Sequence, residues 1–230
     1  MLDFLQKKYA DYFLKPFLKR HLKKTLIYNY NGLILKIYPS VFHPKYFFST
    51  GVLAGFLNGL LLKNKNFCEV GCGSGLISLL AYKKEANVVC FDLNETAVKG
   101  VKENFEANFK NQKLFNIYHS DMFLSIPKQV FDVIFINPPY FFKKTSDKSS
   151  IAWNCGENGE FFEKLFEQLY TYTTKNTGIY IALADNCDLQ RIIEIAQKYK
   201  ITFNKMLEKK IKWEKNYIFK LELSANFNRK

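Results

Sequence analysis

The stretch NFCEVGCGSGLISLLAYKKEANVVCFDLN, Asn66–Asn94, decides the fold. It opens as a short strand-like run and breaks at glycines 71, 73 and 75. It then continues with apolar residues at helical spacing and returns to a second β-rich run ending at Asp92. Strand, glycine turn, helix and strand in this order form one βαβ unit with parallel strands. Gly71, Gly73 and Gly75 let the backbone turn sharply and approach a ligand without a Cβ in the way, and the following helix offers free N–H groups. Such a loop binds a nucleotide-like cofactor. Asp92, followed by Leu93, lies where a carboxylate can accept both hydroxyls of a ribose.

That spacing fits NAD and S-adenosyl-L-methionine alike. Two details favour the methyl donor: a dinucleotide fingerprint GxGxxG would need a glycine where Leu76 stands, and Glu69 offers a carboxylate to a positively charged ligand. In YHSDMF, after the third parallel strand, Asp121 is placed to fix an adenine amino group, with Met122 or Phe123 against the ring.

Outward from the unit the alternation continues. LFNIYHS, VFDVIFIN and GIYIALA read as strands, NETAVKGVKENFEANF and DLQRIIEIAQKYK as helices, and ITFNKMLEKKIKWE with NYIFKLELS as a closing antiparallel hairpin. Upstream, TLIYNYNGLILKIYP places Asn31-Gly32 between two β-rich runs, the dipeptide suited to a two-residue hairpin turn. The first 24 residues space Leu5, Tyr9, Tyr12 or Phe13, and Phe17 as an amphipathic basic helix kinked at Pro16. The expected organisation is an extension over residues 1–40, made of this helix and hairpin, and one α/β domain over residues 41–230, a size that suits a single core.

The fourth strand of the alternation ends in DVIFINPPYFFKK, Asp132–Lys144. An amide or ring amine is a poor nucleophile because its lone pair is conjugated. Asn137 can accept one N–H through its side-chain oxygen while the carbonyl of Pro138 accepts the other, which turns the lone pair toward an incoming carbon. Pro138 and Pro139 fix φ and hence that carbonyl's direction. Tyr140 offers a face for a flat group. Asn137 thus stands at the junction of acceptor and cofactor, and this positioning chemistry calls for no metal.

No apolar run approaches the ~18 residues of a membrane span, and the charged N-terminus lacks the apolar core of a secretory signal, so cytoplasmic residence is expected. Five cysteines without a CxxC pair suggest neither a disulfide framework nor a zinc knuckle. The net charge is +13, of which residues 1–24 and 198–230 carry +12, a distribution that attracts RNA or a ribosome. Only three residues are arginine, the side chain best suited to bidentate phosphate contact, so lysine-rich genome composition explains the same excess.

EVGCGSG, FDLN and INPPY together resemble the motifs of class I S-adenosylmethionine-dependent methyltransferases, in the branch that methylates planar nitrogen, over about residues 40–224. The resemblance implies a Rossmann-like, seven-stranded, mostly parallel sheet with helices on both faces and an antiparallel last strand. AWNCGENGEFFEKLF further resembles the segment after NPPY in HemK-like, small-domain methyltransferases acting on glutamine of translation release factors. That implies a macromolecular acceptor, either a glutamine amide of a translation-related protein or an exocyclic amine of adenine or guanine in RNA. Where relatives carry an acidic P-x-E-D-T-like segment, this chain reads VFHPKYFFSTGVL, leaving Phe48, Ser49 or Thr50 to line the pocket. The connection over residues 141–158 is long and lies beside the presumed pocket, a length compatible with a lid that the sequence alone does not assign, with Trp153 closing over the target or packing on the helix that follows.

Overall fold

The computed structural model describes residues 23–110, 114–145 and 150–224; the basic helix expected at the N-terminus lies outside them apart from Lys23 and Lys24. A hairpin of β1 (Leu26–Tyr30) and β2 (Leu33–Ile37) comes first. Its turn places Asn31 at φ 49° and Gly32 at φ 85°, the two left-handed positions of a turn that matches strand twist.

The main sheet has seven strands in the order β5-β4-β3-β6-β7-β9-β8. These are β3 (Asn66–Val70), β4 (Asn87–Asp92), β5 (Phe115–His119), β6 (Val133–Ile136), β7 (Gly178–Ala184), β8 (Ile201–Ile211) and β9 (Glu214–Leu223). The first five are parallel, whereas β9 runs antiparallel to both β7 and β8. The expected α/β class and reversed last strand are therefore both present. Strand order reverses between β3 and β6, which opens a crevice at the carboxyl ends of the strands.

Alternate strand residues feed two cores. Phe67, Val88, Cys90 and Phe135 face one side, covered by α1 (Phe48–Asn58), α2 (Leu76–Lys83) and α3 (Glu95–Asn108). Cys68, Val89, Ile134 and Ile136 face the other, covered by α4 (Glu160–Tyr172) and α5 (Leu189–Lys198). On α4 the fully buried Phe162, Leu165, Phe166 and Leu169 recur at three- and four-residue spacing, each stabilising the fold by about 1.5–3 kcal/mol.

Helix α1 is the element that sequence reasoning missed. Gly51 and Gly55 within it weaken intrinsic helicity, and it forms because Val52, Leu53, Ala54 and Leu57 are buried against the sheet. Its Phe56 ring packs 4.9 Å from Tyr180.

The hairpin shares the first core through Leu33, Leu35 and Ile37. Its β2 edge is closed by carboxamides of α3. Asn108 Oδ1 accepts from the Ile34 N–H at 2.9 Å, and Asn108 Nδ2 donates to the Ile34 carbonyl at 2.7 Å. One helical turn earlier Asn104 repeats the pattern with Lys36 at 2.7 and 3.1 Å. Asn104 Nδ2 also donates to the Ser74 carbonyl at 3.1 Å, so the hairpin braces the glycine loop.

Candidate active site

A cavity of about 540 Å³ lies at the carboxyl ends of β3, β4, β5 and β6. Glu69, Gly71, Gly73, Asp92, Leu93, Asp121 and Met122 line it, as do Asn137, Pro138, Pro139 and Tyr140. The fold thus gathers residues from four separate strand ends into one space. Gly75 is the exception among the expected site residues: it does not line the cavity, and its missing side chain serves packing of α2 on α3. A Cβ there would stand 2.9 Å from Val101.

The glycine loop has left-handed φ at all three glycines, 69°, 49° and 78°. Gly71 has open space where a Cβ would be, so the loop leaves a cradle on its cavity side. Several of its N–H groups already have acceptors within the protein. Cys72 donates to the Phe91 carbonyl at 3.0 Å, Gly73 to Asp92 Oδ2 at 2.8 Å and Gly75 to the Cys72 carbonyl at 2.7 Å. A loop that binds a diphosphate must keep such donors free. Here they hold carboxylate and carbonyl oxygens, and the Asp92 carboxylate stands beside them in the cavity wall. This donor set suits a cation-bearing nucleoside and disfavours a dinucleotide, so the residues present fit S-adenosylmethionine.

Asp92 Oδ1 accepts from the Asn94 N–H at 2.8 Å, which fixes the carboxylate between loop and helix; burial raises its pKa. Asp121 pairs with Lys164 at 2.6 Å, a partner on α4 that the sequence did not suggest. Met122 adopts φ 52°, uncommon for a residue with a side chain.

Glu69 is 4% exposed. Its Oε2 accepts from the Ser78 N–H at 2.8 Å and from the Ser78 hydroxyl, satisfying a first-turn N–H of α2 that has no helical partner. Burial outweighs these bonds and, with the Asp92 charge adding, pushes its pKa up to about 8. Since the ordinary value is 4.5, the native chain retains a proton that the unfolded chain loses between those values. Stability therefore falls as pH rises from about 4.5 to 8. Glu69→Gln, neutral throughout, is expected to reduce this fall, with the raised Asp92 supplying what remains. Thermal melts at pH 5 and pH 8 test it: equal pH dependence in the two proteins would show that Glu69 does not titrate there.

At the other end of the cavity Asn137 Nδ2 donates to Thr50 Oγ1 at 3.1 Å, tying the elbow to α1. Tyr140 packs edge-on to Phe141 at 5.0 Å, and burial raises its phenol pKa, so it is neutral. Trp153 lines the cavity and packs 4.9 Å from Phe42 and 4.4 Å from Phe47, on the β2–α1 connection. Phe42 was not singled out from the sequence, where it is one of several aromatics in VFHPKYFF.

The connection after the elbow is fixed at both ends. Phe141 donates its N–H to the Trp153 carbonyl, and Cys155 donates to that of Phe141. Arg191 bonds the Glu157 carbonyl at 2.8 Å while its guanidinium lies 4.1 Å over Phe142. The tight turn before α4 needs Gly156 and Gly159, at φ 92° and 81°; added Cβ atoms would meet Glu160, and Ile195 with Phe142, respectively. Residues 146–149 lie outside the described residues.

Fold and site together define a methyltransferase that uses S-adenosylmethionine. Comparison with known proteins agrees: the profile of the methyltransferase small domain matches residues 35–203, and the chain belongs to that family. A candidate protein N5-glutamine methyltransferase of Methanocaldococcus jannaschii is 32% identical over 162 residues, 68% of this chain and 78% of that protein. The tRNA1(Val) (adenine(37)-N6)-methyltransferase of Haemophilus influenzae is 28% identical over 166 residues, 63% of this chain and 71% of that one. Among solved structures, a methyltransferase of Pyrococcus furiosus superposes with TM-score 0.60 at 19% identity, covering 94% of this chain and 100% of that one. The E. cuniculi complex that methylates a translation termination factor gives 0.55 at 22%, covering 80% and 99%. At these identities the structural likeness speaks for the fold.

Among the described residues no helix is long and apolar enough to cross a membrane. The C-terminal segment 225–230 lies outside them, as does most of the basic N-terminus.

Proposed function

We propose that the protein methylates a planar nitrogen, the side-chain amide of a glutamine in a protein of the translation apparatus. The observation that carries this reading is the Asn137 carboxamide, which lines the same cavity as the glycine loop and has its nitrogen engaged by Thr50. Its Oδ1 is then the end left to accept an N–H from an acceptor. The Pro138 carbonyl takes the second N–H, and the neutral Tyr140 ring bears on the amide plane. With both hydrogens held aside, the nitrogen lone pair is withdrawn from conjugation and directed into the cavity.

S-adenosylmethionine, bound by Gly71, Gly73, Asp92, Leu93, Asp121 and Met122, supplies an electrophilic methyl group. The residues around the acceptor need only orient and desolvate. An N-methylated amide nitrogen that still carries its extra proton is strongly acidic and loses it without a strong base on the protein. The identity shared with the M. jannaschii protein and the resemblance of AWNCGENGEFFEKLF to the glutamine enzymes support an amide acceptor. Five free thiols suit a reducing cytoplasm.

An adenine or guanine amine in RNA is the second reading. Lys144 lines the cavity and Lys143 precedes it, two cations at the mouth beside a stacking face. The H. influenzae relative acts on a tRNA. The two readings separate when the enzyme and methyl-labelled S-adenosylmethionine are added to an extract. Label that resists RNase, disappears with protease and is recovered as N5-methylglutamine is expected. Label removed by RNase would transfer the assignment to RNA, and an absence of label despite cofactor binding would indicate a silent RNA-binding module.

A further inference from the structure

The role proposed for Asn137 requires that its oxygen, not its NH₂, face the acceptor. The two ends of a carboxamide are nearly identical in shape, and a half-turn about the last side-chain bond exchanges them. Local sequence does not fix this choice. The contact the carboxamide makes comes from a residue 87 positions away: Thr50, in the first turn of α1, whose Oγ1 accepts from Asn137 Nδ2 at 3.1 Å. Thr50 is 6% exposed and lines the cavity. We propose that Thr50 is a positioning residue that holds the Asn137 carboxamide with Oδ1 toward the acceptor; this rests on the function proposed above.

Without the hydroxyl the Nδ2 end has two outcomes. It can stay, leaving a partly buried N–H without its acceptor, or turn and present donors to the acceptor's own N–H groups. Both lower the fraction of molecules in the productive arrangement, and neither alters the glycine loop. Turnover should therefore fall while cofactor affinity holds.

Two substitutions separate positioning from packing. Thr50→Val keeps the branched shape and removes the hydroxyl; Thr50→Ser keeps the hydroxyl and removes a methyl from a buried site. If Thr50 only packed, Thr50→Ser would be the more harmful. As a positioning residue, Thr50→Val should lower kcat about 10–100-fold with KM for S-adenosylmethionine within about threefold. Thr50→Ser should restore most of the rate despite a lower Tm.

A second readout needs no acceptor. In ¹⁵N spectra of the chain saturated with S-adenosylhomocysteine, the Asn137 side-chain amide is identified by its loss in Asn137→Ala. In the parent chain and in Thr50→Ser one Nδ2 proton should exchange slowly with solvent; in Thr50→Val it should exchange at least about tenfold faster. An unchanged Asn137 signal in Thr50→Val, or Thr50→Ser losing as much rate as Thr50→Val, overturns the proposal. Label entering RNA in place of protein would refute the glutamine assignment alone, since the exchange measurement is made without either.

Discussion

Asn137→Ala is expected to lower turnover by about 10²–10³-fold, the loss typical of one preorganised polar group at a reacting centre. The substitution removes the oxygen that draws one N–H aside, so the acceptor nitrogen stays conjugated. It leaves Pro138, Pro139 and the sheet beneath them in place, because Ile136 is fully buried and pairs with Val70 and Ile181. Calorimetry with S-adenosylhomocysteine should therefore still show binding, and single-turnover rates should carry the loss. Asn137→Gln, which moves the same group by one methylene, should recover little, since a displacement of about 1 Å can cost 10²-fold. Full turnover in Asn137→Ala would remove this residue from the mechanism and with it the case for a planar nitrogen.

Gly75→Ala is expected to destabilise the fold by about 2–5 kcal/mol. Residue 75 sits at φ 78°, a conformation that costs an L side chain about 1–2 kcal/mol. A Cβ would also lie 2.9 and 3.0 Å from the Val101 methyls and 3.1 Å from Leu79 Cδ1, and overpacking of this kind costs about 1–3 kcal/mol. Since α2 and α3 are both anchored in the first core, neither can withdraw cheaply. For a chain of this size Tm should drop by about 4–20 °C. Val101→Ala in the same chain should recover part of the loss, as contacting sites are not additive. Gly71→Ala, at φ 69° but with open space around its Cβ, should cost only the about 1–2 kcal/mol of the left-handed backbone, melt above Gly75→Ala and lose cofactor affinity as well. A Gly75→Ala protein melting within 2 °C of the parent would show that α2 and α3 are less firmly fixed than their packing indicates.

The contrast between Gly71 and Gly75 bears on what a sequence reveals. Both were read as room for a ligand, because the motif reports only that a Cβ is unwelcome. At Gly71 the open space belongs to the cavity, whereas at Gly75 the neighbour is another helix. The order of strands and helices from Asn66 onward was legible because apolar periodicity is local, as was the hairpin turn at Asn31-Gly32. Helix α1 was not, since FSTGVLAGFLN is a poor helix in isolation and depends on the sheet it covers. Asp121 followed by Lys164, and Asn137 followed by Thr50, were hidden for a related reason. Each pair joins residues dozens of positions apart, and nothing near either member hints at the other.

Strand β9 carries a consequence for biosynthesis. It lies between β7 and β8 and buries Ile218, Phe219 and Leu221 there, yet it is translated after both. While a nascent chain is still threaded through the exit tunnel up to Glu214, the β7 edge carries unpaired backbone groups, an invitation to aggregation. The crevice and the elbow lie on strands translated earlier, and the β7 edge is covered only when the β8–β9 hairpin pairs with it through β9. Synthesis from N- to C-terminus therefore supplies the strands of the candidate site first and their antiparallel backing last.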